Sequence, residues 1–253
     1  MNKKFWTLDK QGNEILRDLQ KENESFSLEK YRAGEFDGNN YIWHEMFNNF
    51  VYDDNGCDYE RYGCFIKEGD VVLDIGANIG VFSYRAEIRG ASKIISFEPI
   101  TPTFNCLIKN KSNNSLVYKM AVGNKNGWVD FSIPDDLSNL GGGTSKNEVT
   151  MDRSVSLTEK CYMININEVF NDLVEKVDFM KVDIEGGEVE LLNAITDENL
   201  LSLRCLACEF HKINDEFDKF QEDFVSRMNK LGFKSFVLYL GNGDLRTLNF
   251  WKE

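Results

Sequence analysis

From residue 71 onward the chain alternates between short apolar runs and stretches of helical period. Val71–Ile75 is apolar except for Asp74, the pattern of a strand covered on both faces. Glycines follow it, and then a helix is expected from about Val81 to Arg89. Lys93–Phe97 predicts a second strand. Thr101 and Pro102 supply a capping residue and a first-turn proline, opening a helix to about Lys111. Leu116–Val122 predicts a third strand, and Val177–Ile184, Arg204–Phe210 and Phe233–Leu240 predict more. Between the last two, Phe217, Phe220, Phe224, Met228 and Leu231 recur at helical spacing and mark an amphipathic helix. Leu245–Trp251 reads as a terminal edge strand. Strands alternating with helices of this length predict crossover units, a mostly parallel sheet and an α/β fold.

Two segments break the pattern. Between Gly123 and Tyr162 the runs become hairpin-like: Trp128–Ile133 alternates as a strand, Gly141–Gly143 is a flexible triplet, and Arg153–Met163 is extended. This predicts an insertion at about 124–162 within a domain spanning 57–253. Residues 1–56 carry many aromatic side chains, which a disordered tail would lack, so they are expected to fold against the body as an extension or lid.

Composition narrows the classes. The 253 residues include 42 acidic and 29 basic side chains, a net charge of -13, which argues against gripping nucleic acid or an anionic membrane. The start has no apolar h-region and no stretch reaches transmembrane length, so a cytoplasmic location with reduced thiols is expected. Cys205 and Cys208 form a CxxC, but within an apolar strand their side chains face opposite sides, so core cysteines are expected instead of a zinc site. Oligomeric state is not legible.

The candidate chemistry gathers at strand ends. In Val71–Gly80, VVLDIGANIG, a buried strand ends at Asp74 and passes through Gly76, Ala77, Asn78 and Gly80 into a helix. Glycines there allow close approach of backbone N–H groups to a ligand, while Asp74 favours a cationic ligand over a pyrophosphate. That combination suits S-adenosylmethionine, with its ammonium and sulfonium. The dinucleotide fingerprint GxGxxG is absent. Glu98, followed by Pro99, closes the next strand where a carboxylate can accept from both ribose hydroxyls. Ala121 and Val122 end the third strand, where small side chains leave room for an adenine edge. In KVDIEGGE, Asp183 ends a further strand, with Glu185 and Glu188 crowding the turn behind it; Glu188 fits the first turn of a helix. Glu209 and His211 end a later strand, and an unperturbed histidine would suit general-base work.

The set DIGANIG, FEP, KVDIEGGE and CEFH, in this order, resembles the FkbM-type methyltransferases over about residues 57–211. The resemblance implies a Rossmann-like seven-stranded sheet, S-adenosylmethionine as cofactor, and methyl transfer to a hydroxyl of a small molecule or sugar. It implies that Asp74, Gly76, Asn78 and Gly80 hold the methionine part, Glu98 the ribose, and that Asp183 borders the methyl group. Glu60 stands where the family often has an acid near the cofactor. Two departures are Gly187 in the acidic turn, where alanine is usual, and LLNAI without the family's common glycine.

On this reading His211 or Asp183 removes the acceptor's proton, oriented by Glu185 or Glu209. In a variant, Asp183, Glu209 and His211 bind a divalent cation. The alternatives are a catalytically silent binding protein on this fold and a nicotinamide-dependent oxidoreductase. Exocyclic base methylation is disfavoured because the three prolines, Pro99, Pro102 and Pro134, are never adjacent.

Overall fold

The computed structural model describes residues 4–9, 11–18, 57–134, 155–212, 217–240 and 245–253. His44, Gly141–Gly143 and most of the aromatic N-terminal segment lie outside the described residues. The strands are β1 (Lys4–Leu8), β2 (Glu14–Asp18), β3 (Val71–Ile75), β4 (Lys93–Phe97), β5 (Ser115–Tyr118), β6 (Ala121–Gly123), β7 (Gly127–Pro134), β8 (Val155–Asn165), β9 (Phe179–Val182), β10 (Cys205–His211), β11 (Lys234–Leu240) and β12 (Leu245–Trp251). The helices are α1 (Val81–Ile88), α2 (Thr101–Asn110), a short α3 (Ile166–Glu168), α4 (Glu188–Ala194), α5 (Asp197–Ser202) and α6 (Phe217–Lys230).

Seven strands form the main sheet in the order β11-β12-β10-β9-β3-β4-β5. The β5-β4-β3-β9-β10 run is parallel throughout, and β12 is antiparallel to both its neighbours. This is the expected Rossmann-like α/β architecture. The chain moves outward from β3 to β5 and then returns to place β9 on the other side of β3. A crevice therefore opens above the carboxyl ends of β3 and β9, where open sheets bind ligands.

Alternation along the strands builds two cores. Leu73, Ile75, Met180, Val182, Leu206 and Cys208 face one way and pack with Leu191, Leu200, Phe224 and Met228 from α4, α5 and α6. Val72, Ile94, Phe179, Cys205 and Ala207 face the other way, against Phe82 and Ala86 of α1 and the 57–66 segment. Cys205 and Cys208 thus sit in opposite cores as free buried thiols, as their strand position requires.

Two expectations are corrected. Leu116–Val122 is not one strand: β5 stops at Tyr118, and Ala121–Gly123 begins β6, which pairs in parallel with β8 in a separate three-stranded sheet. Only Lys119 interrupts the run at the break, and beyond it Val122 and Ala121 serve two different cores. The terminal strand β12 is not an edge. It lies between β11 and β10, and residues 246–250 are all buried, including Thr247 and Asn249, as an internal strand demands.

A third cluster joins the periphery to the body. Phe5 and Leu8 of the β1–β2 hairpin pack with Ile79, Ile100 and Cys106, and with Phe131, Ile133 and Cys161 of β7 and β8. Asn110 at the end of α2 stitches the hairpin down. Its Oδ1 accepts from Trp6 N at 2.8 Å, and its Nδ2 donates to the carbonyls of Trp6 and Ile79, each at 2.8 Å. Among the described residues, no helix is long and apolar enough to cross a membrane.

Candidate active site

The turn after β3 is held by its neighbours. Gly76 N and Ala77 N both donate to the carbonyl of Phe97 at the end of β4, at 3.0 and 2.9 Å. Gly76 has φ 77°, and a Cβ there would stand 1.7 Å from the carbonyl oxygen of Asp183. The glycine is thus required by chain meeting chain at the β3–β9 exits, a different reason from the ligand approach expected from the sequence. Asn78 also lies in the left-handed region, at φ 52°, which asparagine tolerates better than most residues. Gly80, at φ 94°, starts α1 with no side-chain cap, and the first turn of α1 contains no acidic residue. That helix end is suited to a ligand carboxylate.

Asp74 lies fully enclosed beneath this turn. Its Oδ2 accepts from Ser83 Oγ at 2.6 Å, and Lys181 Nζ stands 3.5 Å from Oδ1. Burial raises the Asp74 carboxyl above its usual range, and Lys181 opposes that effect. Lys181 is itself buried, donates to the carbonyl of Gly76 at 2.7 Å and lies 3.4 Å from Asp183 Oδ2. One cation therefore ties together the ends of β3 and β9. An unpaired buried charge would be costly, so these three residues form a unit.

Glu98 sits over β4 with only 5% exposure. Its Oε2 accepts from Asn78 N at 2.9 Å, and its Oε1 accepts from Ile100 N at 2.9 Å and Thr103 Oγ1 at 2.8 Å. Burial nevertheless pushes its carboxyl up to about 7. Pro99 follows it, half-buried. Ala121 and Val122, both buried, start β6 beyond the break in β5.

Across the crevice the acids converge. Asp183 leaves β9, and Glu185 holds φ 55°, an uncommon conformation for a side-chain-bearing residue and one that clusters at functional sites. Glu188, the buried first residue of α4, turns back to accept from Ile184 N at 3.1 Å and Gly186 N at 3.0 Å, pinning the turn. His211 from β10 meets three of the acids: Nδ1 is 3.2 Å from Glu188 Oε1, and Nε2 is 3.5 Å from Glu185 Oε2 and 3.9 Å from Glu209 Oε1. Burial lowers the His211 pKa, but Glu188 and Glu185 outweigh burial and hold it well above the usual value. These carboxylates therefore favour the protonated ring of His211, which works against the general-base role expected of it. Glu209 is pushed up to about 8 by burial and by the nearby Asp183 charge.

Two residues that the sequence reading gave no role complete the cluster. Tyr59 Oη lies 2.6 Å from Glu209 Oε2 and 3.0 Å from Asp183 Oδ2, and Lys181 sits 5.4 Å from the centre of the same ring. Lys181 was findable, because residues two apart on a strand share a face with their partner, here Asp183. Tyr59 lies 124 residues before Asp183 and carried no local signal.

Glu60 points elsewhere. Its Oε1 accepts from Ile66 N at 2.8 Å, and its Oε2 meets Arg85 and, at 3.4 Å, Arg89 of α1. These contacts anchor the 57–66 segment to α1 and do not join Glu60 to the acids above the sheet. As for a metal, ligand atoms of Asp183, Glu188 and His211 lie within 4.8 Å of one another, a set with Glu188 where the sequence suggested Glu209.

A Methyltransferase FkbM domain model matches residues 74–235. The chain belongs to the FkbM methyltransferase family. It is 25% identical over 210 residues to the AMB antimetabolite synthetase AmbE of Pseudomonas aeruginosa, covering 69% of the chain but only 10% of that protein. It is 24% identical over 186 residues to the 31-O-demethyl-FK506 methyltransferase FkbM of Streptomyces tacrolimicus, covering 62% of the chain and 71% of the relative. It is 25% identical over 148 residues to the hexuronic acid methyltransferase AglP of Haloferax volcanii, covering 57% of each. The matched family segment spans the glycine turn, Glu98, the acidic turn and His211, while Tyr59 precedes it.

Proposed function

We propose that this chain transfers a methyl group from S-adenosylmethionine to a hydroxyl of a small molecule or sugar, with Asp183 as the general base. The observation that carries the reading is the placement of Asp183: a partly exposed carboxylate at the β3–β9 crevice, beside the glycine turn and within reach of Tyr59 and Lys181. The relatives named for 31-O-demethyl-FK506 and hexuronic acid support an oxygen acceptor and a sugar respectively.

The residues present fit the cofactor. The uncapped start of α1 suits its carboxylate, the acidic crevice suits its ammonium and sulfonium, and Glu98 suits its ribose hydroxyls. When bound, S-adenosylmethionine supplies a methyl carbon already activated by a sulfonium. The protein's own task is to align the acceptor within about 3–3.5 Å of that carbon and to remove its proton. Asp74 and Lys181 set the position of Asp183. His211, as an imidazolium, offsets Glu185, Glu188 and Glu209, which would otherwise repel one another.

His211 thus supplies positive charge where a metal would, and the reading runs without a cation, so turnover is expected to persist in EDTA. The acidic chain, at net charge -13, supports a neutral or cationic acceptor over nucleic acid. Free buried thiols support a cytoplasmic setting.

The test is transfer of labelled methyl from S-adenosylmethionine to a panel of hydroxylated sugars and small molecules, with RNA and DNA as a separate arm. Asp183→Asn is expected to lower kcat by about 10²–10⁴. Wild-type turnover in Asp183→Asn would remove Asp183 as base, and incorporation into nucleic acid alone would overturn the acceptor class.

A further inference from the structure

Two rows of paired residues cross one face of the main sheet beside the crevice. In the first, Asp74, Lys181, Ala207 and Asn249 pair in turn from β3 through β9 and β10 to β12. In the second, nearer the carboxyl ends, Glu209 pairs with Thr247, and Asp183 follows Val182, whose partner Cys208 precedes Glu209. The row of the proposed base thus continues through Glu209 to Thr247. Thr247 and Asn249 are fully buried, yet Thr247 Oγ1 and Asn249 Oδ1 have no hydrogen-bond partner among the described residues. We propose that Thr247, backed by Asn249, is a specificity subsite for a second hydroxyl of the acceptor, and that the acceptor is a sugar chain or glycoside longer than one ring. The proposal rests on the reading of Asp183 as the base and names its acceptor more closely.

The donors and acceptors at this place match a hydroxyl. Thr247 Oγ1 can both donate and accept, whereas Asn249 Oδ1 only accepts, since Asn249 Nδ2 already donates to the Asp58 carbonyl at 3.0 Å. A sugar hydroxyl can donate to one of these oxygens and accept from Thr247. An anionic group would find a single donor there and the Glu209 carboxyl in the same row. An alkyl group would leave both polar atoms unmet, an expensive outcome in a buried place. Packing alone gives no reason for the hydroxyl, because valine has the same branched shape and suits a strand interior. The other face of β12 shows that ordinary solution, with Leu248 and Phe250 in the main core.

The span sets the size of the acceptor. β12 lies two strands beyond β9, a distance of about 10 Å at the usual strand spacing. A single pyranose ring is shorter than that. An acceptor with its reacting oxygen at Asp183 therefore needs a second ring, or a glycosidic arm, to meet Thr247. The segment that carries Asp58 and Tyr59 covers this face: Asn249 holds the Asp58 carbonyl, and Tyr59 Oη meets Glu209 Oε2 at 2.6 Å. The second unit of the acceptor enters beneath the Tyr59 edge of that cover, which gives way to it.

The test compares the full chain with its Thr247→Val variant, which keeps the shape and removes the hydroxyl. Loss of an unpaired buried hydroxyl should raise the melting temperature by about 2–4 °C. An unchanged or lower value would show the hydroxyl to be satisfied within the fold and would overturn the subsite. Titration with hexoses, hexuronic acids and their di- and trisaccharides, followed by saturation-transfer NMR, reads binding without turnover. The wild type should bind a di- or trisaccharide about 10-fold more tightly than the single sugars, and Thr247→Val should lose that preference. No sugar binding, or a preference that survives the substitution, would overturn the proposal. In methyl transfer, Thr247→Val should raise KM for the longer acceptor about 10-fold with kcat little changed, since the contact is equal in ground and transition states. A lower kcat with KM unchanged would contradict that. If the longer sugars bind with this preference and none is methylated, the functional reading falls and the subsite stands.

Discussion

Replacing Glu98 by glutamine separates what the group does for the fold from what it does for a ligand. Burial holds the Glu98 carboxyl at about 7, against an ordinary 4.5. The folded chain therefore binds this proton more tightly than the unfolded chain does. The associated stabilisation is fully present below about pH 4.5 and is lost as pH rises through about 7, a total of about 3 kcal/mol. Glutamine does not titrate, so its variant lacks this slope. Glutamine also offers only one acceptor oxygen. If that oxygen keeps Ile100 N and Thr103 Oγ1, the amide nitrogen is turned toward Asn78 N–H, and an unmet buried donor costs about 1–3 kcal/mol. The variant should therefore be less stable than wild type near pH 5 by about 1–3 kcal/mol. Near pH 9 it should equal or exceed it, because the wild type has lost about 3 kcal/mol there. Urea unfolding of both proteins across that range, at constant ionic strength, measures the difference and cancels titrations common to both. A difference that stays constant with pH would refute the reasoning.

The same carboxyl should couple ligand binding to protons: ribose hydroxyls favour ionised Glu98, so S-adenosylhomocysteine should bind more tightly as pH rises to about 7 and release protons below it, read by calorimetry in buffers of different ionisation enthalpy. Gly76→Ala should cost about 2–5 kcal/mol in denaturant unfolding, combining left-handed backbone strain with overpacking against the Asp183 carbonyl, and a loss under about 1 kcal/mol would contradict the close approach. Lys181→Met should cost about 3–5 kcal/mol by leaving Asp74 and Asp183 without their shared cation, and adding Asp74→Asn should recover part of it.

What the sequence disclosed was mostly local. The strand at Val71–Ile75 was legible because burial on both faces leaves a near-continuous apolar run, and α2 was legible because Pro102 marks its first turn, although Thr101 does not cap it as expected: Ile100 is the N-cap and Thr101 bonds Glu159 instead. The parallel sheet followed from the alternation of such elements. The break between β5 and β6 was hidden because two adjacent short strands in different sheets give a mostly apolar run in which Lys119 is the one mark of the break. The inward place of β12 was hidden too, since Thr247 and Asn249 look like solvent-facing residues and are buried. In the site, the acids at strand ends were readable from position alone. The protonation of His211 was not, because it depends on Glu185 and Glu188 meeting it across a turn 23 residues or more away. Tyr59 could not be found from spacing at all, since only the fold brings the 57–66 segment beside β9 and β10.

The central claim is that this crevice holds S-adenosylmethionine for methyl transfer. It is tested most directly by titrating the purified chain with S-adenosylhomocysteine by calorimetry, with NAD as control. Saturable binding of S-adenosylhomocysteine, weakened by Glu98→Gln and absent for NAD, is the predicted result. Binding of NAD instead, or no binding of S-adenosylhomocysteine with or without sugar acceptors present, would contradict it.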